Sequence, residues 1–235
     1  MKLDIHAIFL SIIIPFKNEK IQIEKSLSFF KGLQSESVEF IFVNDGSTDG
    51  GDVIVKENFK TSTLLTTRGV GTGKAFLHGM KKSRGKYSWL LPVDCLIKEN
   101  IAENVYEKIR NKNGDVYVFP KKYTGENEMK FYSFFQNMIL LKGIHLAAWT
   151  NGFVLKNNLV EILEKSNREV FLVDLELSKQ LKKKKWIVLD DELMVSARKY
   201  KKDGYLKRIV LNGVIVFLWF FKIVSSEKLL QFYRA

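Results

Sequence analysis

Apolar residues in the first half of the chain fall in short continuous runs: "IFLSIII" (8–14), "VEFIFV" (38–43), "TSTLLT" (61–66) and "YSWLL" (87–91). Between them the apolar positions recur at helical spacing, from Ile21 to Leu33, then after a polar loop as far as Phe59, then over 74–83. The pattern predicts βαβαβαβ. Strands that are apolar at nearly every position are buried on both faces, which calls for a mostly parallel sheet covered by helices. Ligands of such sheets bind outside the carboxyl ends of the strands.

The second half predicts a helix over 99–111, a strand "DVYVF" (115–119) and a polar loop "PKKYTGENE". A helix "MKFYSFFQNMILLKG", a strand "NGFVLK" and an amphipathic helix "FLVDLELSKQLKKKK" follow. No linker rich in Pro, Gly or Ser and no repeat interrupts the series. The expectation is one α/β domain over 1–205 with a helical, apolar tail over 206–235.

Placed on this sheet, the acidic residues gather at one edge: Glu19 follows the first strand in "PFKNEK", Asp45 the second in "NDGSTDGG", and Asp94 the fourth in "LLPVDC". Each alone reads as a turn or helix cap, with Asn18, Ser47 and Thr48 suited to the same work. Three in succession at one sheet edge point to a site. The glycine stretch "TTRGVGTGKAF" (66–76) fails the phosphate-loop pattern, having Arg68 where a glycine and Ala75 where a Ser or Thr is needed. It fails the dinucleotide fingerprint too, at Lys74. What remains is Arg68 and Lys74 beside a helix N-terminus, a setting that favours a diphosphate, with a plain surface loop as the alternative.

Composition sharpens this picture. The formal net charge of +12 suits anionic partners. Charge without an aromatic-basic motif argues against nucleic acid. A single cysteine, Cys95, excludes an internal disulfide and a cysteine metal cluster, and fits a reducing, cytoplasmic compartment. The N-terminal run "AIFLSIIIPF" is β-branched and stops at Pro15, so it reads as a strand rather than an export signal.

The segments "SIIIPFKNEK", "FIFVNDGSTDGG", "GVGTGKAFLHGMKKSRGKYSWLLPVDC", "FLVDLELSKQL" and "VSARKYKKDGYLKRIVLN" together resemble family 2 glycosyltransferases of the GT-A fold, in the right order from about 9 to 212. The C-terminal half is closest in pattern to the radical-SAM/selenodomain-associated members, and the glycine block to the polyprenyl-phosphate sugar synthases. The resemblance implies that Pro15, Lys17, Glu19 and Asp45 hold the base and ribose of a nucleotide-sugar donor. It implies that Asp94 takes the last place of a D-x-D motif, binding Mg²⁺ or Mn²⁺ against the diphosphate. Pro92 stands where the first aspartate of that motif belongs, so Arg68, Lys74, Lys122 and Arg198 are candidates to share the neutralisation of charge.

The same resemblance makes Asp174 the general base, with Glu176 as substitute, in a pair whose first acid is here Val173. It implies transfer with inversion to a hydroxyl or lipid-phosphate acceptor, in cell-envelope or polysaccharide biosynthesis. Trp149 and Asn151 fall where these enzymes shape the sugar or acceptor pocket. A degenerate, nucleotide-binding protein on the same fold is the rival reading, motivated by Pro92 and Val173. His78 and His145 read as structural, and the lysines at 182–185 as a solvated helix end.

The tail "IVLNGVIVFLWFFKIV" (209–224) is too short for a spanning helix, which needs ~20 apolar residues. It reads as a helix packed on the domain, an oligomer contact, or an interfacial helix on the inner face of the plasma membrane. A lipid-linked acceptor favours the last.

Overall fold

The computed structural model describes residues 8–96, 101–124, 127–141, 147–167 and 171–234. The first half forms β1 (Leu10–Phe16), α1 (Lys20–Gly32), β2 (Val38–Asn44), α2 (Gly51–Asn58), β3 (Thr63–Thr66), α3 (Thr72–Met80) and β4 (Tyr87–Leu90). β1 lies between β2 and β4, parallel to both, and β3 extends the sheet beyond β2.

Both faces of this sheet are covered, so alternate side chains of one strand enter different cores. Ile12 and Ile14 pack with Phe30 of α1 and Val55 of α2 on one side. Ile13, Ile41 and Val43 pack with Phe76 and Met80 of α3 on the other. All seven residues of β1 are buried, which accounts for its unbroken apolar run.

The second half continues with β5 (Cys95–Leu96), α4 (Ile101–Lys112), β6 (Val116–Val118), β7 (Lys121–Thr124), α5 (Asn127–Leu141), β8 (Phe153–Lys156), α6 (Val160–Ser166) and α7 (Val173–Leu181). It closes with β9 (Trp186–Val188), β10 (Leu193–Ser196), α8 (Arg198–Asp203), α9 (Tyr205–Phe220) and α10 (Ser226–Arg234). β8 inserts antiparallel between β4 and β6, and β9 adds parallel to β6, so the seven-stranded order is β3-β2-β1-β4-β8-β6-β9.

Three outcomes differ from the sequence pattern. The segment expected as the loop "PKKYTGENE" contains β7, which joins a second, three-stranded sheet of order β5-β10-β7. Its hydrogen-bond partner lies over seventy positions away in β10, so "KKYT" offers little local signal. The helix expected through Lys185 stops at Leu181, and the exposed lysines 182–185 form the turn into β9. Residues 157–166, 186–188 and 193–196 hold elements that the apolar pattern did not mark. His145 and residues 142–143 of the helix expected after "PKKYTGENE" lie outside the described residues; His78 is exposed on α3.

Helix α3 approaches β1 and β2 at Gly79, where an added Cβ would clash with Ile13 Cγ2 and lie 3.3 Å from Val43 Cγ2. Gly79→Ala should therefore destabilise the fold by ~1–3 kcal/mol through overpacking, read as a lower urea midpoint with unchanged slope.

Candidate active site

The strand order reverses between β1 and β4, and a cleft of 390 Å³ opens there at the carboxyl ends of the strands. Pro15 near the end of β1 lines it together with Lys17 and Glu19 from the following loop, Asp45 just past β2, and Pro92 and Asp94 past β4. Trp149, Thr150 and Asp174 close the opposite wall, and Tyr233 of α10 reaches its rim.

The loops after β1 and β2 are stitched together by their polar side chains. Thr48 N–H donates to Asn18 Oδ1 (2.8 Å), and Asn18 N–H donates to Ser47 Oγ (3.0 Å). Asp49 accepts from Lys20 N–H (2.7 Å) and Gly51 N–H (3.0 Å), the first amides of α1 and α2. One carboxylate thus serves both helix N-termini, whose unpaired amides and dipoles favour negative charge. Ser47 and Thr48 cap neither helix.

Asp45 is 5% exposed and its carboxylate is taken up by the glycine stretch. Thr67 Oγ1 (2.6 Å), Val70 N–H (2.7 Å) and Gly71 N–H (2.9 Å) all donate to it. Gly69 and Gly71 carry φ of 70° and 89°, the left-handed region that lets the loop turn its amides inward. The loop is therefore an adaptor that presents α3 to the cleft. Lys17 Nζ rests 3.2 Å from where a Cβ of Gly69 would be. Arg68 and Lys74 are exposed and not among the cleft-lining side chains.

Asp94 sits in the turn that ends β4, where Cys95 N–H donates to Pro92 O (3.0 Å) and Ser196 N–H to Asp94 O (3.4 Å). That second contact ties β10 to the turn and delivers Arg198. Its Nη2 grips Glu19 at 2.7 Å and 3.0 Å, which together with Asp94 nearby holds the guanidinium pKa above its ordinary value. Among the described residues no three His, Cys, Asp or Glu side chains converge to enclose a metal ion. The arrangement fits Mg²⁺ or Mn²⁺ only in the mode where the protein gives one carboxylate and diphosphate and water supply the rest. Cys95 is fully buried and burial pushes its thiol well up, so it is no nucleophile.

On the far wall, Asp174 occupies the first turn of α7. It accepts from Trp149 N–H (3.1 Å) and Leu175 N–H (3.0 Å). Burial nevertheless raises its pKa, against those bonds and the pull of Lys121. Val173, which replaces the expected acid, packs against α3: its Cγ1 lies 2.9 Å from where a Cβ of Gly73 would be. Glu176 is engaged along α7 with Gln180 Nε2 (3.1 Å) and Lys179 Nζ (3.6 Å), outside the cleft lining. Trp149 lies in the cleft wall against Phe76, while the side chain of Asn151 is consumed by Phe119 O (2.8 Å) and Ala148 N–H (3.0 Å).

The lysine expected in the site was Lys122, but it projects outward, and Lys121 turns inward with 3% exposure. Strand alternation sets this, because Lys121 shares a face with buried Tyr123. Lys121 Nζ donates to Thr150 Oγ1 (3.1 Å), and Asn137 holds its backbone N–H and O at 2.9 Å each. Burial lowers its pKa to about 8, with Asp174 opposing the shift. Tyr233 was also missed; the amphipathic "SEKLLQFYR" at the chain's end was its only trace.

Glycosyl transferase family 2 matches residues 11–159, and the chain belongs to that family. It is 24% identical over 127 residues to glycosyltransferase GlyG of Streptococcus pneumoniae, covering 52% of this chain and 42% of that protein. It is 30% identical over 119 residues to a dolichyl-phosphate beta-glucosyltransferase of Saccharomyces cerevisiae, covering 45% and 36%. The chain thus spans about two-fifths of the length of these relatives. Its fold is that of Staphylococcus aureus TarS, solved with UDP-GlcNAc (TM-score 0.59, 18% identity, 80% of this chain and 58% of that one). It is equally that of the mannosyltransferase PcManGT of Pyrobaculum calidifontis, solved with GDP-Man and Mn²⁺ (TM-score 0.59, 18% identity, 79% and 56%). The architecture is GT-A.

Keeping Lys121 charged in this buried setting costs stability. Its pKa displacement from 10.5 to about 8 corresponds to ~3 kcal/mol at neutral pH. The folded state binds fewer protons than the unfolded between these values, so stability should rise from about pH 8 to 10.5. Lys121→Met should stabilise the protein at pH 7 by at most that amount and abolish the rise, read by urea unfolding across the range.

Proposed function

We propose that this chain transfers a sugar from a nucleoside-diphosphate sugar to a hydroxyl of its acceptor, with inversion by direct displacement. The observation that carries the reading is the placement of Asp94 and Asp174 on opposite walls of one cleft. A donor diphosphate lies toward Asp94, Lys17 and Arg198, and the acceptor oxygen toward Asp174. The acceptor oxygen's lone pair forms the new bond to the anomeric carbon. The bond from that carbon to the diphosphate oxygen breaks, and its electrons leave with the diphosphate. The hydroxyl proton passes to Asp174, whose raised pKa makes its carboxylate a stronger base than an exposed one. A divalent cation held by Asp94 would neutralise charge on the leaving diphosphate. Arg198 and Lys17 supply fixed positive charge to the same end.

The TarS and PcManGT complexes support a nucleotide-sugar donor, while the yeast relative's name supports the alternative of a lipid-phosphate acceptor, in which a phosphate oxygen attacks and no base is needed. A lipid-linked acceptor would suit a role in cell-envelope or polysaccharide biosynthesis.

Full-length protein incubated with UDP-, GDP- and dTDP-sugars and Mn²⁺ should release nucleoside diphosphate from at least one donor. Asp174→Asn should lower kcat by about 10²–10⁴ while leaving donor affinity intact. A phosphate acceptor, which needs no base, would spare that variant and revise the acceptor class. Absence of release from every donor, with Asp94→Ala binding nucleotide as tightly as wild type, would overturn the enzyme reading in favour of a nucleotide-binding protein.

A further inference from the structure

Two neighbouring helices turn apolar faces outward with nothing of the described chain upon them. On α9, Arg208, Ile215 and Trp219 face inward: Arg208 and Ile215 are buried, and Lys179 of α7 lies 5.7 Å from the Trp219 ring. Leu206, Val210, Val214, Phe217, Phe220 and Phe221 recur every three or four positions on the other side, with Leu206 76% and Phe220 67% exposed. On α5, Met129, Ser133 and Leu140 are buried while Phe131, Phe134 and Phe135 stand out, Phe131 by 73%. Each helix therefore carries exposed phenylalanines on the side turned away from the domain.

The two stripes belong to one packed unit. Asn212 of α9 donates to Tyr200 Oη (3.2 Å), and the Tyr200 ring lies 5.9 Å from that of Tyr132 on α5. From α9 the unit reaches the cleft: the Arg208 guanidinium sits 4.0 Å from the Tyr233 ring, which lines the rim and lies 5.0 Å from that of Phe171.

Charge selects the occupant. Exposed Lys207 and Lys222 lie near the two ends of the apolar stripe in sequence, and the adjoining α8 and α10 carry exposed Lys201, Lys202 and Lys228 against exposed Asp203 and Glu227, in a chain of net charge +12. A two-fold contact with a second copy would set this basic patch against an identical basic patch. An anionic bilayer surface satisfies both features, taking the aromatics into the headgroup–acyl boundary and the ammonium groups at the phosphates. No described helix is long and apolar enough to cross a membrane, so the contact lies in the interface plane.

We propose that α5 and α9, joined through Tyr132, Asn212 and Tyr200, form a two-helix footing that docks on an anionic lipid bilayer. The proposal does not depend on the glycosyl-transfer reading.

Full-length protein should co-sediment with phosphatidylcholine vesicles containing phosphatidylglycerol, much less with phosphatidylcholine alone, and less at high ionic strength. Phe134→Ser with Phe217→Ser, and separately Lys207→Glu with Lys222→Glu, should each weaken binding by about tenfold or more, with unchanged melting temperature. Neither pair touches the cleft, so nucleoside diphosphate release should persist. Wild type that ignores anionic vesicles, or binding that both pairs leave intact, would overturn the proposal. So would a dimer in sedimentation velocity that Phe134→Ser with Phe217→Ser turns into a monomer while vesicle binding stays absent, which assigns the surface to a second copy.

Discussion

A sheet buried on both faces can carry charge only at its ends, and this constraint organises the molecule. β1 is fully enclosed, and so is β4, so their side chains offer no room for polar chemistry until the chain leaves the sheet. Pro15, Lys17 and Glu19 appear at that exit from β1, and Pro92 and Asp94 at that from β4. Because the strand order reverses between these two strands, the two exits diverge and leave a cleft between them.

The acids gathered there are not equivalent. Asp45 and Asp49 are occupied by backbone amides, one holding the glycine stretch and the other two helix starts. Glu19 is held by Arg198. Asp174 stays in a desolvated wall where its raised pKa is sustained by burial. The two departures from the family pattern have different physical consequences. Val173 is a packing residue between α7 and α3, where an acid would be set against Gly73 and Asn167. Pro92 lines the cleft beside Asp94 where the family pattern has a first aspartate, and Arg198, held by Glu19, places its guanidinium near Asp94.

Much of the first half was legible because its signals are local. Unbroken β-branched runs such as "SIII" specify buried strands, and their polar exits can be counted along the chain. The second half is harder to read, since β7, β9 and β10 are three or four residues long and pair with distant segments. Without the strand assignment nothing ranks two adjacent lysines, so the expectation of Lys122 gives way to Lys121, the one that strand alternation turns inward. Arg198 was found by family pattern, but its grip on Glu19, 179 positions away, belongs to the second sheet.

By itself, then, the sequence determined the α/β layering, the parallel core and the gathering of Glu19, Asp45 and Asp94 at one edge, because hydrophobic periodicity and strand polarity are properties of consecutive residues. Only the tertiary structure decided which acids are spent on backbone amides, which lysine turns inward, and that Tyr233 joins the cleft lining. Those outcomes depend on contacts between residues far apart in the chain, and on burial, which no local pattern carries.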